Sequence, residues 1–159
     1  MIELAEMPGE RFPAYRENLI REYARDKVRA GVWSPEEAPR RAEVDTDDLL
    51  AQGTDTGGHY LYLLRDRYAG EEVGVVWLAV RDRGAGRSGW IHDIEIYEPF
   101  RRQGHATRAL LALEKKAAEL GAEKLELHVF GHNPGARALY EKSGFMPTSI
   151  VMSKALDGR

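Results

Sequence analysis

The chain has 159 residues, of which 43% are aliphatic or aromatic and 31% charged. That balance suits one soluble domain over residues 1–159 with enough apolar side chains to fill a core. The net charge of -3 excludes a general basic field, so neither nucleic acid nor a membrane surface is an expected partner. The absence of cysteine excludes disulfides, thiolate zinc sites and a cysteine nucleophile, and it fits a reducing compartment.

Taken in chain order, "MIELAEMPGERF" lacks the basic-then-apolar pattern of a signal peptide. No later apolar run approaches the roughly 20 residues of a membrane helix. A cytoplasmic location is therefore expected. Ile2 to Leu4 read as a short first strand. A helix is expected from about Pro13 to Ala30, with Leu19, Tyr23 and Val28 near one face and Gly31 as its stop. "SPEE" at 34–37 starts a second helix that runs toward Leu50. Ser34 can cap it, Pro35 suits the first helical position, and Glu37 can complete a capping box. "AQGTDTGGH" is a loop.

Three strands follow, at 59–66, 72–82 and 90–97, with "GAGRSG" at 84–89 as the hairpin turn between the second and third. In the third, "WIHDIEIY", alternation puts Asp93 and Glu95 on one face and His92, Ile94 and Ile96 on the other, an arrangement that a bulge would change. A helix is expected from about Gly104 to Leu120, with Ala106, Leu110, Leu113, Ala117 and Leu120 on one stripe and Gly121 as a left-handed stop. "KLELHVF" at 124–130 is a strand, and Pro134 to Lys142 a short helix. "GFMPTSIVMSKAL" supplies a final strand. The order implies an α/β chain of the α+β kind, a mixed sheet covered by helices.

The stretch "FRRQGHATRALL" carries the first chemical signal. The opening N–H groups of a helix lack internal partners and attract anions. Gly104 removes a side chain that would block a phosphate from them, and Ala106 keeps the next outward position small. Arg101 and Arg102 add guanidinium forks suited to phosphate oxygens. The segment has the chemistry of a diphosphate cradle. The plainer reading, a turn glycine beside solvated arginines, weighs about equally on this segment alone. No ATP-type loop and no dinucleotide fingerprint occur.

A second segment, "NPGARALYEKSGF", changes that balance. Together with "RRQGHA" it resembles the GNAT superfamily of acetyl-CoA-dependent N-acetyltransferases. Arg101, Gly104 and Ala106 match R/Q-x-x-G-x-G/A, with alanine in place of the commoner last glycine. Asn133, Ala136, Leu139, Tyr140, Gly144 and Phe145 match N-x-x-A-x-x-L-Y-x-x-x-G-F. The close match covers about residues 90–146, and the first half resembles the family only in its order of elements.

The resemblance implies a mostly antiparallel, twisted sheet of about six to seven strands with helices on both faces. Its fourth and fifth strands splay apart to admit acetyl-CoA. The backbone of Ile94 and Ile96 would hold the pantetheine arm as an added strand. Arg101, Arg102, Gln103, Gly104, His105, Ala106 and Thr107 would hold the diphosphate, with Asn133, Ala136 and Tyr140 also beside the cofactor. No metal is implied.

An amine would attack the thioester directly, with proximity as the main tool. A backbone N–H near a bulge in "WIHDIEIY" would hold the oxyanion. Tyr140 is the expected acid for the CoA thiolate. Glu95 is the favoured base, with His92 close behind because an imidazole titrates near neutrality, and Asp93 as a third choice. Plainer readings stand beside these: a core tyrosine at 140, a structural ion pair at 95, a satisfied polar ring at 92. Asn133 is expected to cap the helix starting at Pro134. Trp33 lines an acceptor site or packs as a hydrophobic staple, and "EVDTDDLL" at 43–50 is a solvated face or a lure for a cationic substrate.

The acceptor stays open between a small amine, an amino acid, and a protein N-terminus or lysine. A homodimer with exchange of the final strand is allowed. The rival reading is a CoA-binding sensor without turnover.

Overall fold

The computed structural model describes residues 1–157. Among these the sheet has five strands in the order β1-β2-β3-β4-β5. They are β1 (Ile2–Glu6), β2 (His59–Asp66), β3 (Glu71–Arg83), β4 (Gly86–Ile96) and β5 (Lys124–Leu127). The first four form an antiparallel meander, and β5 returns parallel to β4. The helices are α1 (Phe12–Arg29), α2 (Ala38–Leu49), α3 (His105–Glu119) and α4 (Pro134–Lys142).

Period-two alternation sorts the side chains onto two faces. Tyr62, Leu64, Val76, Leu78 and Ile91 pack against Ala109, Leu110, Leu113 and Ala117 of α3. Leu61, Leu63, Val75 and Trp77 pack on the opposite face against Tyr15 of α1, with Met7 and Leu50. Helices therefore cover both faces, as expected. Ala109, not Ala106, fills the α3 seam, and Ala106 turns to the helix mouth.

Trp33 pins α1 to α2. It is 7% exposed, meets Tyr23 edge-on and lies under the Lys27 and Arg41 cations. Ser34 and Glu37 make the anticipated capping contacts, Oγ to Oε2 at 2.8 Å and N to Oγ at 3.3 Å. The turn they close precedes the regular helix, which begins at Ala38. The acidic run at 43–50 is engaged structurally: Arg16 pairs with Glu43 and Asp47, and Tyr23 donates to Asp45.

Three expectations need correction. The β3–β4 hairpin turns over residues 84–85, so 86–89 belong to β4. Gly86 and Gly89 read locally as turn residues, but Gly89 lets Leu125 and Ala117 approach. Second, β5 ends at Leu127 instead of running to 130. Third, the final strand is not formed, so the sheet has fewer than the six to seven strands expected. Residues 146–155 lack regular structure, and Val151 and Met152 are 96% and 89% exposed. Strand propensity expresses itself only when an edge pairs with it, and Pro147 removes one donor from the segment.

Candidate active site

β4 carries the site, and one extra residue shapes it. Trp77 pairs with Asp93, whereas its neighbour Leu78 pairs with Ile91, so His92 is a bulge. The bulge corrects the expected alternation. The His92 ring lies on Trp77, 4.2 Å between centroids, hence on the α1 face together with Asp93 and Glu95. Burial pushes its pKa down to about 4, and its Nε2 is buried without a hydrogen-bond partner. Such a ring is neutral at pH 7 and a weak proton acceptor.

Beyond the bulge β4 keeps β3 on one edge and loses β5 on the other. The β4–β5 pairing ends at Ile91 and Leu127, which opens a split. The Tyr97 N–H donates to the Val73 carbonyl at 2.8 Å. Alternation then turns the peptide groups of Glu95 toward β3 and those of Ile94 and Ile96 into the split. In this structure the Arg101 Nε donates to the Ile96 carbonyl at 2.8 Å. Gly74 permits the close approach of β3, because a Cβ there would collide with the Glu95 carbonyl oxygen.

The split leads to the mouth of α3. Gly104 is the N-cap residue, with φ 80° and ψ 8°, and Arg102 also has a positive φ of 61°. A non-glycine residue in that region is uncommon and strained. Two left-handed residues in one loop form a concave nest of N–H groups in front of the helix dipole. Arg108 straps the loop by donating to the Gln103 carbonyl at 2.7 Å, and Gln103 itself reaches the Pro99 carbonyl. A cavity of about 240 Å³ lies here, lined by Ile96, Phe100, Arg101, Arg102, Gly104, His105, Ala106, Thr107 and Leu139. The His105 side chain turns inward and is 5% exposed, with Nδ1 3.1 Å from Arg108. It is a buried ring, and the residue still borders the cavity.

From α4, Asn133 accepts the Ala136 N–H at 3.2 Å, the expected cap. Leu139 and Tyr140 pack against the α3-side core. Burial and the charge of Asp93 hold the Tyr140 phenol above its ordinary pKa, so it stays protonated and able to donate.

On the α1 face a second cavity, of about 310 Å³, lies between α1 and the sheet. It is lined by Met7, Arg11, Ala14, Tyr15, Asn18, Leu63, Val75, Glu95 and Tyr97. Glu72 beside it is neutralised by a two-bond Arg11 fork and by the Tyr97 hydroxyl. Glu95 has a long contact with Asn18 at 3.5 Å, and burial raises its pKa. Asp93 accepts a hydrogen bond from Tyr15 at 2.7 Å. Tyr15, Arg11 and Asn18 carry no recognisable motif. Only the fold brings them to β4, so sequence reasoning did not find them.

A strand with one edge left open, a helix mouth at its end and a capped second helix adjoin one another. Residues 16–145 match the Acetyltransferase (GNAT) family. The chain belongs to that family. It is 40% identical over 155 residues to the uncharacterized N-acetyltransferase YycN of Bacillus subtilis, covering 98% of this chain and 99% of that one. It is 35% identical over 153 residues to YdgE of the same organism, covering 96% and 97%. The YycN crystal structure superposes with a TM-score of 0.92 over 98% of this chain and 99% of that one, at 40% identity.

The protein is thus an acetyltransferase of the α/β GNAT fold, and its family uses acetyl-CoA. This sets aside the sensor without turnover. Among the described residues no helix is long and apolar enough to cross a membrane.

Proposed function

We propose that the protein transfers acetyl from acetyl-CoA to a primary amine by direct attack in a ternary complex, in the cytoplasm and without a metal. The observation that carries this reading is the open edge of β4. Beyond Ile91 its β5 edge has no strand neighbour, while β3 stays paired to it as far as Ile96, and that free edge leads toward the nest at Gly104.

In this reading the pantetheine arm bonds the peptide groups of Ile94 and Ile96 as an added strand. Arg101 releases the Ile96 carbonyl and turns with Arg102 to the diphosphate, which sits on the N–H groups of residues 103–107. Asn133 and Ala136 flank the arm from α4. The thioester lies near the bulge, where a backbone N–H holds the oxyanion. Tyr140 gives its proton to the CoA thiolate. The amine enters from the 310 Å³ cavity on the α1 face, where Asp93 and Glu95 supply negative charge and a proton acceptor. His92, neutral and stacked, shapes the wall.

The acceptor is a small amine, or a lysine or N-terminus presented on a flexible segment. The net charge of -3 favours such cations over nucleic acid. A homodimer that engages the exposed 146–156 segment fits the same reading.

The test is calorimetric titration with CoA, followed by measurement of free CoA released from acetyl-CoA with a panel of amines. Amine-dependent release is expected. A chain that neither binds CoA nor releases it in the presence of any amine would overturn the reading.

A further inference from the structure

The two carboxylates on the α1 face of β4 occupy different places along the split. β4 and β5 remain paired up to Ile91 and Leu127. Asp93 therefore stands at the apex, and Glu95 lies one pleat nearer the mouth of α3. Burial, and after it the charge of Asp93, keep the Tyr140 phenol protonated. Tyr15 donates to Asp93 Oδ2 at 2.7 Å, across 78 residues of chain. Tyr15 is itself 8% exposed, packed among Met7, Leu63 and Trp77, so its ring holds one orientation. Among the described residues Oδ1 of Asp93 has no hydrogen-bond partner. Glu95 opens instead onto the 310 Å³ cavity and has only the long Asn18 contact.

On the acetyl-transfer reading above, we infer that Asp93 takes the proton of the acceptor ammonium and that Tyr15 is the positioning residue that fixes its carboxylate. The ammonium gives one proton to Asp93 Oδ1. The freed nitrogen pair forms the C–N bond to the thioester carbonyl. The C–S bond then breaks, its electron pair stays on sulfur, and the thiolate takes the Tyr140 proton. The nitrogen's remaining surplus proton returns to Tyr140 through solvent, and Asp93 releases its own proton to solvent. One ammonium and one acetyl-CoA thus give one amide, one CoA thiol and one proton. Glu95 holds the cation while it approaches.

The groups facing Asp93 are Tyr15, Glu22 and Asp26 of α1, Glu95 of its own strand and Tyr140 of α4. Burial raises Asp93 to about 6, the Tyr15 hydrogen bond opposes that, and the three neighbouring carboxylates add to it. A carboxylate of that strength is ionised at pH 7 and a better base than an ordinary one.

The experiment compares the intact wild type with Tyr15→Phe, Asp93→Asn and Glu95→Gln. It uses acetyl-CoA with spermidine, Nα-acetyl-lysinamide and a tripeptide with a free N-terminus; where none of the three reacts, carbon-13 titration of the Asp93 carboxyl decides. The pH profile of kcat/KM should show an acidic limb near 6 in wild type. Tyr15→Phe removes a donor that favours the carboxylate, so the limb should move to higher pH while CoA affinity holds. Asp93→Asn should lose the limb and about 100-fold or more in kcat/KM. Glu95→Gln should raise KM and keep the limb.

A limb that survives Asp93→Asn, vanishes in Glu95→Gln or stays in place in Tyr15→Phe overturns the assignment. Should Tyr15→Phe fail to fold, carbon-13 NMR of the Asp93 carboxyl in wild type decides. A midpoint near 6 supports the assignment, and one in the ordinary range of about 3.9 defeats it. Failure of the acetyl-transfer reading looks different: the wild type would bind no CoA by calorimetry.

Discussion

The imidazole of His92 lies nearly parallel to the indole of Trp77, 21° between planes and 4.2 Å between centroids. The bulge that places it there separates two neighbours with opposite titration behaviour. Burial lowers His92 to about 4 and raises Asp93 to about 6.

Their effects on stability have opposite signs. His92 is depressed below its unfolded value, so its contribution is full above pH 6.5 and is lost as pH falls toward 4. Asp93 is raised, so its contribution is full below pH 3.8 and is lost as pH rises through 6. Each is on the order of 3 kcal/mol, and in wild type they largely offset. His92→Phe keeps a ring on Trp77 and removes one of the two. The variant should lose stability relative to wild type as pH rises from 4 to 6, read as denaturant midpoints at matched pH. Parallel curves for the two proteins would refute the pairing of effects.

Gly104→Glu should abolish CoA binding, by at least about 100-fold in Kd, while the chain stays folded. The position needs a φ of 80°, which costs a side chain about 1–2 kcal/mol. The new carboxylate would also stand at the positive end of α3. The added Cβ meets only the end of Arg108 at 2.9 Å, and that flexible group can move. Calorimetry with CoA, alongside a thermal melt, checks both halves. Unchanged affinity would remove the nest from the cofactor site.

Tyr140→Phe should lower kcat by about 10²–10⁴ with CoA affinity nearly unchanged. The ring keeps its packing against Phe145, 5.9 Å between centroids, so the loss reports the hydroxyl alone. Steady-state kinetics and calorimetry separate the two quantities, and an undiminished kcat would take Tyr140 out of the proton path.

Gly74→Ala should destabilise the chain by about 3 kcal/mol. The new methyl would collide with the Glu95 carbonyl oxygen. Backbone lies on both sides of that contact, so no rotamer change relieves it. Denaturant unfolding measures the loss. A wild-type midpoint would mean that β3 and β4 are freer to part than their register implies.

Much of the fold and the helix mouth at Gly104 could be read from local pattern. Period-two alternation in "WIHDIEIY" separated Asp93 and Glu95 from Ile94 and Ile96. Gly104 and Gly121 marked the ends of α3 because each needs a backbone conformation that side chains resist. The two motifs "RRQGHA" and "NPGARALYEKSGF" carried the family, since each is built from consecutive residues.

The acceptor side was not legible in the same way. Tyr15 reaches Asp93 across 78 residues, and nothing in the sequence around Phe12 announces it. The bulge at His92 arises from the register of β3 on β4, which two sequences settle jointly. The last segment shows the same limit from the other side: "GFMPTSIVMSKAL" has strand composition, yet a strand needs a partner edge. The sequence by itself therefore determined most of the elements, their order and the glycine-opened mouth of α3, because local spacing and glycine conformation govern those. Only the tertiary structure decided which carboxylate stands at the apex of the split, which way His92 points and where β5 leaves β4, because these depend on contacts between distant segments.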